Sequence, residues 1–249
     1  MDRFDVALKM MASIIVIYML ISILYLYIAV GENWGLVLSA LLESRVHGAI
    51  FISISSAILV GILAVAAAIP VAYVLTYANF RGKDILETFL VELPQTFPPV
   101  TEGLVYLLMF GRLGLAYTFA AVIIAKFYVS APFTISFAVR RFTEVRESGI
   151  DVIARSLGAR TSHILSKILL PLTAKDLLAG FSLTWARAMG ELAATLVFAG
   201  AIPWVTETLP ALIYLASNEK PQVAIAASVI AETLSMISLL SFKLIARRK

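Results

Sequence analysis

Two long runs of this chain are almost free of charge: residues 10–30 hold no charged side chain, and residues 223–241 hold only Glu232. About 20 consecutive apolar residues, wound as a helix, cross the hydrocarbon core of a bilayer with their backbone hydrogen bonds satisfied internally. In water the same runs would have to be covered on all sides. A chain of 249 residues with 14% charged side chains lacks the polar surface for that, since soluble domains carry about 25%. The expected fold is therefore all-α and embedded in a membrane. Extended disorder and a soluble nucleic-acid-binding domain are excluded as whole-chain readings. With no Cys there is no disulfide framework, thiol chemistry or Cys-bound zinc. His47 and His163 are too far apart in sequence to suggest a metal site.

Hydropathy and helix breakers divide the chain into six expected spans, at 10–30, 49–77, 92–111, 113–139, 177–200 and 223–244, in one transmembrane domain covering 1–249. The first apolar run exceeds the roughly 7 to 15 residues of a signal-peptide core, so it reads as a retained span. Pro70 should kink the second span, and Pro94, Pro98 and Pro99 break the start of the third. An even number of spans puts both termini on one side, and the basic residues say which. Arg3, Lys9, Arg81, Lys83, Arg140, Arg141, Arg146, Arg155, Arg160, Lys167, Lys175, Lys243, Arg247, Arg248 and Lys249 share that side, against Arg45, Arg112 and Lys220 in the opposite loops. Positive-inside bias then makes both termini and the loop 140–176 cytoplasmic. This placement also accounts for the net charge of +4 without invoking nucleic acid.

Within that loop, apolar residues recur at Ile153, Leu157, Ile164, Leu165, Ile168 and Leu169, with Gly158 interrupting. The spacing predicts two short amphipathic helices joined at the glycine. Chemistry of the usual catalytic kinds is missing from the pattern. The Gly82-Lys83 pair is followed by Asp84 and does not complete a phosphate-cradling G-x-x-x-x-G-K-[ST] loop, and neither a G-x-S-x-G nor an H-E-x-x-H motif occurs. The chain is not expected to be an enzyme or to hold a cofactor.

Charges inside expected spans are costly and so mark functional candidates. They are Glu102, Lys126, Arg187, Glu191 and Glu232. Arg187 and Glu191 stand four apart and would pair on one helical face; Glu102 and Lys126 would pair between the third and fourth spans. These pairs could be structural or could line a path, and Glu232 leaves a proton-coupled carrier open.

Gly158, followed by nine residues and then Ile168-Leu169-Leu170-Pro171, resembles the G-x9-I-x-L-P core of the EAA loop of permease subunits of ABC importers. Ala154, Arg155, Ser156, Leu157 and Ala159 fit the same motif, although Val152-Ile153-Ala154 stands where the family has Glu-Ala-Ala, leaving Asp151 as the nearby acidic residue. Leu93-Pro94, Pro98-Pro99-Val100, Gly103 and Leu107 to Gly111 are similar to a region of molybdate, tungstate and sulfate permeases, with Val100 one place early. The stretch Trp185 to Gly200, with Ile202-Pro203 and Thr206 to Leu212, resembles a second region of that group.

The resemblance implies a molybdate/tungstate permease of the plasma membrane, with sulfate/thiosulfate as the alternative. It implies a second permease, as a homodimer with a hetero-pair as the alternative, two cytoplasmic ATPase subunits and an extracytoplasmic oxyanion-binding protein. On that basis Ile153, Ala154, Arg155, Ser156, Leu157, Gly158, Ala159 and Arg160 would dock the ATPase, with Pro171 ending the docking element. Pro94, Pro98, Pro99, Gly103, Arg187, Gly190, Glu191 and Thr195 would border the path, with Thr96, Thr101, Thr184 and Gly200 as further polar or close-approach positions. The prolines would lie near the cytoplasmic side.

Overall fold

A computed structural model describes residues 3–31 and 34–247. Arg248 and Lys249, read above as part of a basic cytoplasmic end, lie outside the described residues. Among those described, all regular structure is helical. The order is α1 (Arg3–Val30), α2 (Trp34–Ala40), α3 (Ser44–Tyr77), α4 (Lys83–Glu87), α5 (Leu93–Thr96), α6 (Pro99–Phe110), α7 (Phe119–Glu147), α8 (Ile150–Ser156), α9 (Thr161–Ile164), α10 (Leu170–Met189), α11 (Ala193–Ala199), α12 (Leu209–Glu219) and α13 (Pro221–Arg247). Wider π-turns at Thr88–Glu92 and Leu165–Leu169 join α4 to α5 and α9 to α10.

The centre of the molecule is α7, packed on α3 and α10. Small residues make that packing close: Ala57, Ala64, Ala68 and Ala72 of α3 and Ala121, Ala125, Ala131 and Ala138 of α7 are all buried. In lipid, where burying apolar surface between helices brings no hydrophobic gain, close backbone approach through small residues is what holds helices together. Thr134 of α7 and Thr184 of α10 share a hydroxyl hydrogen bond of 2.7 Å, and Thr184 Oγ1 lies 2.9 Å from the Ser130 carbonyl. By contrast α1 exposes Ile14, Ile17, Tyr18, Ile21 and Ile28, as a lipid-facing helix would, and Tyr27 ties it to Thr233 of α13 at 3.0 Å.

Among the described residues, four helices are long and apolar enough to cross a membrane: Phe4–Val30, Ser44–Tyr77, Phe119–Glu147 and Pro221–Leu240. The third and fifth expected spans are each divided. Residues 92–111 form α5 and α6, separated where Phe97 and Pro98 take extended backbone angles. Residues 177–200 form most of α10 and all of α11, separated at Gly190–Leu192. The cytoplasmic loop expected from residue 140 is also shorter, since α7 continues to Glu147. The α2 and α12 helices were not anticipated.

Proline explains one further difference. Pro171 was expected to end the docking element, yet the chain is helical from Thr161 through to Met189. Proline lacks an N–H, and its ring meets the carbonyl four residues back. The π-turn just before it relieves that clash by widening the helix, with the Leu170 N–H reaching the Leu165 carbonyl. The same device precedes Pro94, where the Leu93 N–H bonds the Thr88 carbonyl. Each π-turn is followed directly by Leu-Pro.

Candidate functional site

The break between α10 and α11 is built by one side chain. Glu191, 2% exposed, accepts the Ala194 N–H through Oε1 at 2.9 Å and so caps the start of α11. Its Oε2 receives Arg187 at 2.8 Å. The expected pair is therefore present, but Glu191 stands beyond the end of α10 rather than on its face. A carboxylate against the free N–H groups opening a helix is favourable both as an acceptor and against the helix dipole.

Lys126 is wholly buried on α7, and its Nζ donates to Ser56 Oγ of α3 at 2.8 Å. Glu191 acts on it electrostatically. The expected Glu102–Lys126 pair does not form; Glu102 meets the hydroxyl of Tyr128. Residues 126 and 128 point about 200° apart around a helix of 3.6 residues per turn. Lys126 thus faces α3 while Tyr128 faces α6, where it meets Tyr106 edge-on at 5.8 Å.

Arg187, with its side chain one-third exposed, opens onto a cavity of about 390 Å³. Pro94, Pro98 and Pro99 line the same cavity, with Thr96 and with Phe133 of α7. The prolines therefore sit level with the middle of α7. Pro94 is buried, and Pro98 and Pro99 start α6, where a missing N–H costs nothing.

The remaining path candidates separate by their bonding. A Cβ on Gly103 would stand 2.7 Å from the Ala194 carbonyl oxygen, so glycine is what lets α6 approach α11. Gly190 has no comparably close neighbour, and Gly200 turns the chain at φ +69° beneath Tyr117. Thr195 donates to the Leu192 carbonyl just before α11 at 2.8 Å, and Thr96 to the Leu93 carbonyl within α5 at 3.0 Å. Thr101 is exposed on the first turn of α6.

Beyond the end of α7, α8 presents an exposed face. Val152, Ile153 and Leu157 are 61%, 61% and 83% exposed, with Arg155, Ser156 and Arg160 also outward. Ala154 and Ala159 turn inward onto the core that contains Phe142, Ile164 and Leu169. Gly158 turns the chain at φ +86°, a conformation that costs a residue with a Cβ. Asp151 is 3% exposed and acts on Tyr77, so it offers no acidic contact to a partner.

Residues 57–249 match the family of binding-protein-dependent transport system inner membrane components. The chain belongs to this family. A molybdenum transport system permease protein of Mycobacterium bovis is 34% identical over 218 residues, covering 82% of this permease and 81% of that protein. A molybdate/tungstate transport system permease protein of Thermococcus kodakarensis is 28% identical over 200 residues, covering 79% and 80%. The fold matches a bacterial ABC transporter involved in the import of alginate, with TM-score 0.76 and 14% identity, over 99% of this chain and 96% of that one.

Two features of the permease escaped the sequence reading. Arg45 grips the fully buried Glu207 through Nε and Nη2, at 2.9 and 2.6 Å, pinning the 200–208 loop to the start of α3. Trp204 reinforces this by donating to Ser44 at 3.2 Å. Near α8, Arg146 donates to the Thr76 carbonyl and lies 5.8 Å above the Tyr77 ring. Opposite charges at Arg45 and Glu207 were visible in the sequence, but they are 162 positions apart and no periodicity connects them.

Proposed function

We propose that this chain is the transmembrane permease of an ABC importer that carries molybdate or tungstate into the cytoplasm by alternating access, with ATP hydrolysed on separate subunits. The observation that carries the reading is the Arg187-lined cavity at the proline break, in a chain that matches a molybdenum permease over four-fifths of its length. A tetrahedral dianion needs a cation and polar neighbours on its way, held weakly enough to let go. Arg187, partly neutralised by Glu191, is such a cation. The names of the relatives favour molybdate and tungstate over sulfate, and no contact of Glu232 among the described residues favours a proton-coupled carrier.

In this reading there are six crossings, with both termini in the cytoplasm of a plasma-membrane protein formed by one domain. The α5–α6 and α10–α11 pairs each make one crossing; a broken helix is tolerated at membrane depth where it lines a cavity. The exposed stripe Val100, Leu104 and Leu108 on α6 is the surface on which a second copy closes the path. Ile153 and Leu157 seat α8 in the ATPase, while Ala154 and Ala159 join α8 to the bundle. Closure of two ATPases on ATP then moves α8 and, through the continuous helix from Thr161 to Met189, the ion pair at its far end. An extracytoplasmic oxyanion-binding protein delivers the cargo.

The test is uptake of labelled molybdate, tungstate and sulfate into proteoliposomes holding the permease with its ATPase and binding protein, beside the permease alone. Uptake only by the full assembly with ATP, strongest for molybdate or tungstate, is the expected result. Uptake by the isolated chain under a proton gradient overturns the assignment.

A further inference from the structure

The cation that lines the proline cavity is already engaged on one side. Arg187 Nη1 holds Glu191 Oε2 at 2.8 Å, while the side chain stays one-third exposed on the cavity, with further guanidinium N–H groups to offer. Glu191 is held from its other end as well. Its Oε1 accepts the Ala194 N–H at 2.9 Å, and the residue is 2% exposed. Ala194 is itself wholly buried, its carbonyl oxygen 2.7 Å from where a Cβ on Gly103 would sit, so α6 closes over the start of α11. A buried carboxylate stripped of its cation is strongly disfavoured, so Arg187 does not abandon Glu191. An anion entering the cavity meets a guanidinium with a carboxylate fixed behind it.

We propose that Glu191 sets how tightly the transported dianion is held: its fixed negative charge behind Arg187 subtracts from the pull of the guanidinium in proportion to the charge of the cargo. This rests on the reading of the cavity as the anion path. Arg187 alone, able to donate two parallel hydrogen bonds to an oxyanion, would hold a dianion strongly, and strong holding opposes release. With Glu191 behind it, the same cation attracts without trapping. Coulomb energy is linear in the charge of the mobile ion, so a dianion feels the carboxylate twice as strongly as a monoanion in the same place. Removing that one charge multiplies the affinity for a monoanion by some factor and the affinity for a dianion by its square. Every charge left in place drops out of the comparison. The cargo class that suits this device is a tetrahedral oxyanion with two charges, since the opposed pair leaves a monoanion little net attraction.

The experiment uses the complex of permease and ATPase in detergent, without binding protein, and compares radiolabelled tungstate with radiolabelled perrhenate by equilibrium dialysis. Both are tetrahedral oxyanions of nearly equal size, and they differ by one unit of charge. Across a guanidinium with a hydrogen bond on either side the carboxylate stands about 7 Å from the cargo, so even at the dielectric constant of water Glu191→Gln should tighten perrhenate about threefold and tungstate about tenfold. The amide oxygen still accepts the Ala194 N–H, which keeps the start of α11 in place. In proteoliposomes holding the whole assembly, the same variant should take up tungstate more slowly although it binds it more tightly. Loss of a merely structural residue would weaken both. Glu191→Met is the second variant and should show the same relation between the two gains. Equal gains for the two anions, no gain, or failure of both variants to assemble with the ATPase overturns the role of Glu191. Arg187→Gln should abolish binding of both anions; undiminished tungstate binding by that variant overturns instead the reading of the cavity as the anion path.

Discussion

A glycine is worth what its missing Cβ would have struck. On Gly180 a Cβ would lie 2.8 Å from Thr134 Cα, part of the α7 backbone, which cannot step aside without moving the helix. On Gly61 it would lie 2.5 Å from Cε2 of Phe181, a ring edge that can turn. Gly180→Ala should therefore lower the Tm of the detergent-solubilised permease more than Gly61→Ala, in line with the roughly 1–3 kcal/mol that overpacking costs. Equal losses would mean that Phe181 is as immovable as backbone. At this scale the sequence spoke unevenly. The four-residue spacing of Arg187 and Glu191 announced their pairing, but not that Glu191 caps a second helix, because the cap depends on where α10 stops. Lys126 was assigned the wrong partner because proximity of spans was considered without the direction in which each residue points.

A short helix declares a partner by which of its apolar residues are left uncovered. Ile153 of α8 and Leu157 just past its end are four residues apart and outward, while Ala154 is packed inside. Ile153→Asp and Leu157→Asp should each abolish co-purification of the ATPase while leaving permease stability within about 0.5 kcal/mol, as exposed substitutions do; a comparable loss of Tm would mean that these residues hold the bundle instead. Gly158→Val tests the turn beside them. The φ of +86° should cost about 1–3 kcal/mol with a Cβ present, and the expected outcome is ATP hydrolysis without uptake. Full uptake by that variant removes α8 from the coupling path. The two helices around Gly158 were legible because their apolar periodicity is local. What the prolines do was not, since a proline reads as a stop, and only the folded backbone shows a π-turn taking up its ring at Pro94 and again at Pro171. The prolines marked the break in the third span, but the division of the fifth at Gly190–Leu192 was hidden, since hydropathy averages over a window and passes across a break of three residues.

For the whole molecule the open quantity is how often the chain crosses the bilayer. Among the described residues, length and apolarity qualify four helices, and the distribution of basic residues favours an even number with the 140–176 loop inside. Six satisfies both if α5 with α6, and α10 with α11, each cross once. The two readings differ in where the connections emerge, and a chain without cysteine allows that to be mapped one position at a time. Six crossings require single cysteines at Lys9, Arg81 and Arg160 to react with an impermeant maleimide only after cells are opened, and those at Glu43, Leu113 and Ile202 to react in intact cells. All six positions are exposed, so accessibility to the reagent depends on the membrane alone. With four crossings, α6 and α11 would not reach the far surface, and Leu113 and Ile202 could not both label from outside. The outcome also bears on Arg187. α8 and the ion pair stand at opposite ends of the helix from Thr161 to Met189, about 1.5 Å per residue apart along its axis, and a cytoplasmic Thr161 puts α8 on the ATPase side. A pull on α8 is then delivered directly to the guanidinium in the cavity.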